Sequence, residues 1–188
     1  MYNRNKRSVC IDMKSERGRE IVHDLVAKAD VVIENFRSGA LEKIGYGYAE
    51  LSKLNPELIY CSARGFLQGP YEHRTALDEV AQMMGGLAYM TGPVGRPLRA
   101  GASVIVVMGG MFGVIGILSA LEMRHRTGKG QCISSSLFES TVFLVGQHMA
   151  QYAVTGQPAA PMPSRISAWA VYDVFSTAQD EKLFVGVV

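Results

Sequence analysis

Cysteine, histidine and net charge are all scarce in this 188-residue chain, and each shortage removes a class of function. The 3 cysteines, Cys10, Cys61 and Cys132, are odd in number, far apart and set in apolar runs. That reads as buried free thiols in a reducing compartment, and a cytoplasmic location is the matching expectation. The four histidines, His23, His73, His125 and His148, show no ligand spacing to one another or to the cysteines, so no metal site is expected. A net charge of +2 is too small to suggest nucleic acid as a partner. There is no Walker lysine loop and no Gly-rich dinucleotide fingerprint, and Ser134-Ser135-Ser136 lacks the glycines of a nucleophile elbow. The polar, basic opening of the chain does not read as a signal peptide.

Hydrophobic residues make up 48% of the chain and charged residues 19%, which supports a folded domain with a real core. One run, Gly101 to Leu121, carries no charge over 21 residues and is long enough to span a bilayer. Its glycines and the lack of an aromatic belt favour a buried helix of a soluble protein, so no membrane partner is expected.

The first third alternates strand and helix signals. Ser8–Asp12 reads as a strand, Ser15–Lys28 as a helix with Ser15 as N-cap, and Asp30–Glu34 as a strand built on Val31-Val32-Ile33. Ala40–Leu54 reads as an interrupted helix, stopped by Asn55-Pro56, and Leu58–Ser62 as the next strand. Further on, helices are predicted over Asp78–Ala88, Ala102–Arg126 and Phe138–Thr155, with a strand over Gln131–Leu137. Ala170–Phe175 and Leu183–Val188 read as strands of a new unit, the second of them unfinished, as in a fragment. The expected fold is therefore α/β: a Rossmann-like parallel sheet with flanking helices, then the start of a small second domain. The expected boundaries are residues 1–156 for the large domain, 157–163 for a Pro-rich linker and 164–188 for the small domain.

In open α/β sheets ligands sit beyond the carboxyl ends of the strands. Those ends carry Glu34-Asn35-Phe36-Arg37 and Ala63-Arg64-Gly65-Phe66, each with a cation, an aromatic ring and a turn. The arginines suit phosphates and the rings suit a base, and Lys6 in the basic opening segment could add to the same field.

Five stretches in order resemble one family: Asn5-Lys6-Arg7-Ser8; Ala29 to Arg37; Asn55 to Tyr60; Gly65-Phe66 with Gly69-Pro70-Tyr71; and Arg126-Thr127-Gly128-Lys129-Gly130-Gln131. The chain is similar over almost its whole length to the class III CoA-transferases, the CaiB/BaiF family, which includes formyl-CoA transferase and alpha-methylacyl-CoA racemase. Family members are about twice as long, so an amino-terminal strand and helix and most of a small domain would lie outside this sequence. The resemblance implies an acyl-CoA:carboxylate CoA-transferase without a permanent cofactor. Coenzyme A or acyl-CoA and a carboxylic acid would be its substrates, and an interlocked homodimer its assembly. It assigns Arg37 to the CoA phosphates, and Lys6, Asn35, Phe36, Arg64, Gly65 and Phe66 to the nucleotide and pantetheine path.

The family's nucleophile is an aspartate that forms anhydride and aspartyl-CoA thioester intermediates. The position implied for it here is Val106, with Ile105 as the one-residue alternative; neither is acidic, and no aspartate occurs between Asp78 and Asp173. Three accounts fit the valine: a substitution introduced into the sequence, an inactive relative or fragment that still binds CoA, or a stand-in carboxylate at Asp78 or Glu79. Asp78 is otherwise implied as a supporting acid. Racemisation is less favoured, because Leu77 stands where the racemases carry a histidine.

Overall fold

The computed structural model describes residues 3–165 and 171–187. Helix α1 (Glu16–Val26) leads into strand β1 (Val31–Glu34), and after a 3-10 turn at Glu42–Ile44 helix α2 (Tyr48–Leu54) leads into β2 (Ile59–Arg64). Ser15 caps α1, its hydroxyl accepting from the Gly18 amide at 3.0 Å. Two short helices follow, α3 (Asp78–Met84) and α4 (Leu87–Thr91). The long helix α5 (Val104–Thr127), strand β3 (Gln131–Ser136) and helix α6 (Leu137–Thr155) complete this part. Strands β4 (Val171–Ser176) and β5 (Lys182–Val187) pair as an antiparallel hairpin.

Strands β1, β2 and β3 form a parallel sheet in that order, with Glu34 opposite Ser62 and Arg64 opposite Ser136. Central β2 is buried over Ile59, Tyr60, Cys61 and Ser62, as expected of a strand covered on both faces. One face packs Tyr60 with Val26, Leu41, Tyr46, Leu51 and Leu58. The other receives α5, where Gly113 brings the helix so close that a Cβ there would lie 3.2 Å from Ser135 Oγ and 3.6 Å from Cys61 Sγ. After α5 the chain turns at Gly128, in the left-handed region at φ 66°, and enters β3. The parallel α/β class predicted from the sequence is the class observed.

Four local expectations fail, each for a physical reason. Residues 8–12 form no strand; a short apolar run becomes a strand only by pairing, and no described strand lies beside it. The helix expected over Asp78–Ala88 is cut in two at Gly85 and Gly86, because Gly86 takes φ +87° and reverses the chain. Only Cys61 of the three free thiols is buried; Cys10 and Cys132 are exposed. Helix α5 is apolar on every side but has a partner on one: Ile105, Gly109, Gly113 and Ala120 are buried, while Val107, Met111, Val114, Ile115 and Leu118 are exposed. Ala170 and Val188, the outer ends of the two predicted late strands, lie outside the described residues.

Candidate functional site

The three parallel strands end at one rim, and two adjoining cavities open there. They share Asn35, Ala63, Arg64, Gly65 and Ala76 as a common wall. The larger, about 330 Å³, is closed by the first turns of α5 (Val106, Gly109, Gly110) and by Ser135, Ser136 and Leu137 where β3 becomes α6. The smaller, about 160 Å³, is lined by Phe36, Arg37, Ser38 and the segment from Glu72 to Thr75.

Glu34 organises the rim. Its carboxylate is 7% exposed, accepts from the Phe36 amide at 2.8 Å and from the Ser62 hydroxyl, and stands 3.8 Å from the Arg64 guanidinium. The turn that carries Asn35, Phe36 and Arg37 is therefore fixed by the last residue of β1. Arg64 also meets Glu42 at 3.6 Å, so much of its charge is already balanced. No carboxylate pairs with Arg37 among the described residues, and Arg74 stacks on the Tyr71 ring at 4.5 Å. The smaller cavity is thus lined by three arginines and His73, with Glu72 as its one carboxylate, 3.0 Å from the His73 ring. That balance suits an anionic, phosphate-like group.

The larger cavity holds a different chemistry. Its lining includes Ser135, Ser136, Asn35 and Arg64, and no carboxylate; the Ser136 hydroxyl is already engaged as the cap of α6, donating to the Glu139 carboxylate and accepting from the Glu139 amide at 3.4 Å. Val106 is half-exposed and faces into it with an isopropyl group, which can neither attack a carbonyl nor hold a proton. Beneath the rim, burial, then the carboxylates of Glu34 and Glu42, push the Tyr60 phenol far above its usual range. Burial pushes the Cys61 thiol up as well, with Cys132 and Glu34 adding to it. Neither group is an ionised nucleophile near neutral pH. No cluster of histidine, cysteine or carboxylate side chains among the described residues could hold a metal.

Asn35, Phe36, Arg37, Arg64, Gly65 and Val106 are brought together at these cavities. Phe66 is not: it is 2% exposed and packs in the interior on Phe138 and Tyr71, with ring centroids 5.4 Å and 5.9 Å away. Lys6 lies outside both linings, and its ammonium donates to Asn3 Oδ1 at 3.1 Å. Asp78 is buried and reaches neither cavity, and Glu79 pairs with Arg99 at the surface. Sequence reasoning missed Arg74, His73 and the Ser135–Ser136 pair. The serines had a usable signal, the carboxyl end of a parallel strand, whereas Arg74 sits in a loop that only the fold brings alongside Arg37.

A family model, CoA-transferase family III, matches residues 1–188. The chain is 41% identical over 186 residues to an acetyl-CoA:oxalate CoA-transferase of Acetobacter aceti, covering 97% of this chain and 48% of that protein. It is 37% identical over 186 residues to a succinyl-CoA:glutarate CoA-transferase of Mus musculus, covering 98% of this chain and 42% of the other. A crystal structure of a CaiB/BaiF family protein from Brucella suis superimposes with a TM-score of 0.87 at 42% identity, over 95% of this chain and 48% of that one. The chain spans about half the length of the relatives it matches. The sheet, the rim and the match along the whole sequence place this chain in CoA-transferase family III.

Proposed function

We propose that this chain is the CoA-binding part of an acyl-CoA:carboxylate CoA-transferase. We propose further that valine at position 106 leaves it binding acyl-CoA without turnover. The arginine-lined cavity takes the phosphates of coenzyme A, with Arg37 and Arg74 as uncompensated cations and the Phe36 ring beside them for the base. The pantetheine arm crosses the shared wall at Asn35 and Gly65, so the thioester arrives in the larger cavity, in front of position 106. A carboxylate there would attack the thioester carbonyl, release CoA as thiolate and form a mixed anhydride. The thiolate would return to the aspartyl carbonyl and expel the donor carboxylate, giving an aspartyl-CoA thioester. An acceptor carboxylate would then displace the thiolate, forming a second anhydride, and thiolate attack on the acceptor carbonyl would release acceptor acyl-CoA and the free aspartate. The single observation that carries this reading is that Val106 lines a cavity adjoining the cationic one, the two sharing Asn35, Ala63, Arg64, Gly65 and Ala76.

The acids named in the two relatives, oxalate and glutarate, differ in length, so the acceptor is assigned only as a short carboxylic acid. Proton transfer at the α-carbon is not proposed, because neither Leu77 nor Val106 can hold a proton. The chain is proposed to form a homodimer in which a second copy covers the exposed apolar face of α5.

The test is a pair of measurements on the chain and on a Val106→Asp variant. Calorimetry should detect CoA binding to both. Exchange of label between acyl-CoA and free acid should be at background in the first and clearly above it in the second. A folded, CoA-binding Val106→Asp variant without exchange would remove position 106 from the chemistry. Absence of CoA binding to either would sink the whole reading.

A further inference from the structure

Helix α5 begins without a cap of its own. Ser103 stands at the N-cap position but its side chain bonds to none of the first-turn amides. The amides an N-cap would normally satisfy, those of Ile105 and Val106, both donate to Asp78 Oδ1 at 3.0 Å. Asp78 belongs to another helix, α3, and is 6% exposed. One helical turn further along α3, fully buried Gln82 donates from its Nε2 to Asp78 Oδ2. The same side chain's Oε1 accepts from the Ala100 amide at 2.8 Å. The partners dictate the amide orientation: a backbone N–H must meet the oxygen, and a carboxylate oxygen must meet the nitrogen. Two side chains on one face of α3 thus hold three amides, at 100, 105 and 106, and bracket the segment that carries position 106 into the larger cavity.

Both oxygens of Asp78 are committed and Asp78 lines neither of the two rim cavities, which separates this group from acid–base work there. We infer that Asp78 and Gln82 are positioning residues: a hydrogen-bonded clamp from α3 that sets where the residue at 106 stands relative to the strand ends. The functional half of this inference rests on the reading that position 106 faces the thioester; the clamp itself does not.

The clamp can be rebuilt with amide and carboxylate exchanged. In Asp78→Asn the new Nδ2 faces the Gln82 Nε2, two donors with no acceptor between them. Adding Gln82→Glu gives Nδ2 a carboxylate to donate to and leaves the second carboxylate oxygen for Ala100. A proton-transfer role for Asp78 would not return in that double variant; a clamp would. The experiment measures amide hydrogen exchange at 105 and 106 in the full chain, its single variants and the double variant. In parallel it measures transfer kinetics of the same set carrying Val106→Asp. The expected result is exchange faster by about tenfold or more in Asp78→Asn, as loss of a charge-assisted bond implies. The matching loss should fall on kcat and not on the KM for acyl-CoA, and both should recover in the double variant. Unchanged exchange in Asp78→Asn, or no recovery in a folded double variant, would overturn the clamp. If the single variants fail to fold, a double variant that folds with protected amides supports it, and one that also fails overturns it. A Val106→Asp chain without transfer counts against the function proposed above, and the exchange data still decide the clamp.

Discussion

Arg37 and Arg64 share a cavity wall but differ in how free their charges are. Arg64 stands between Glu34 and Glu42, whereas Arg37 has no acidic partner among the described residues. The two substitutions should therefore separate. Arg37→Ala is expected to weaken CoA binding by about 1–3 kcal/mol with little change in melting temperature, the range for a lost charge-assisted contact. Arg64→Ala leaves the buried Glu34 carboxylate without its cation and should lower stability by about 1–3 kcal/mol as well. Calorimetric titration and thermal melts on both variants check the split. Asn35, Arg37 and Arg64 were legible in the sequence because strand ends can be read from β-branched runs and turns. Phe66 was not: its neighbours Tyr71 and Phe138 come from separate segments, and only their meeting turns a rim aromatic into a core one.

Tyr60 gives a prediction with a definite sign. Its hydroxyl is buried with no hydrogen-bond partner among the described residues, and its folded pKa lies above the ordinary value of 10.0. Above that pH the unfolded chain loses the proton while the folded chain keeps it, so the folded state binds more protons and stability falls as pH rises. Cys61 acts in the same direction from its ordinary value of 9.0 upward. Tyr60→Phe should be neutral or stabilising by about 1 kcal/mol near neutral pH, since it removes an unsatisfied buried group. It should also flatten the alkaline limb of a stability–pH curve. A loss of stability at neutral pH would show that the hydroxyl has a partner.

At the scale of elements, signals that act through nearest neighbours came out right. Ser15, the Val31-Val32-Ile33 run and the glycine stop after α5 act through nearest neighbours, so the sequence carries them openly. What failed depended on pairing, reversal or cover: the unpaired residues 8–12, the break at Gly85-Gly86, the exposed Cys10 and Cys132, and the open side of α5. The link from α5 to β3 shows how tight such joints are. Gly130 donates its amide to Pro56 O at 2.8 Å, and a Cβ there would sit 2.1 Å from Leu58 O. Backbone cannot yield as a flexible side-chain end would. Gly130→Ala should cost about 1–3 kcal/mol by overpacking, read as a shift in denaturation midpoint with unchanged m-value. A variant as stable as the parent would mean that the joint has slack.

Over the whole molecule, the apolar side of α5 is the feature without an internal explanation. The helix is about 36 Å long at the usual rise per residue. Val107, Met111, Val114, Ile115 and Leu118 are exposed along it, and Phe143 on α6 is 70% exposed. Soluble monomers rarely leave an apolar strip of that extent in water. The sequence showed the run of apolar residues but not which side lacked cover, because that depends on where the sheet sits. If a second copy supplies the cover, sedimentation should show a concentration-dependent dimer. Leu118→Lys with Met111→Lys should then shift it to monomer while the cavities at the strand ends keep their CoA affinity, because neither residue lines them. A chain that stays monomeric at every concentration, with sedimentation indifferent to both lysines, would mean that copies of this chain do not cover α5.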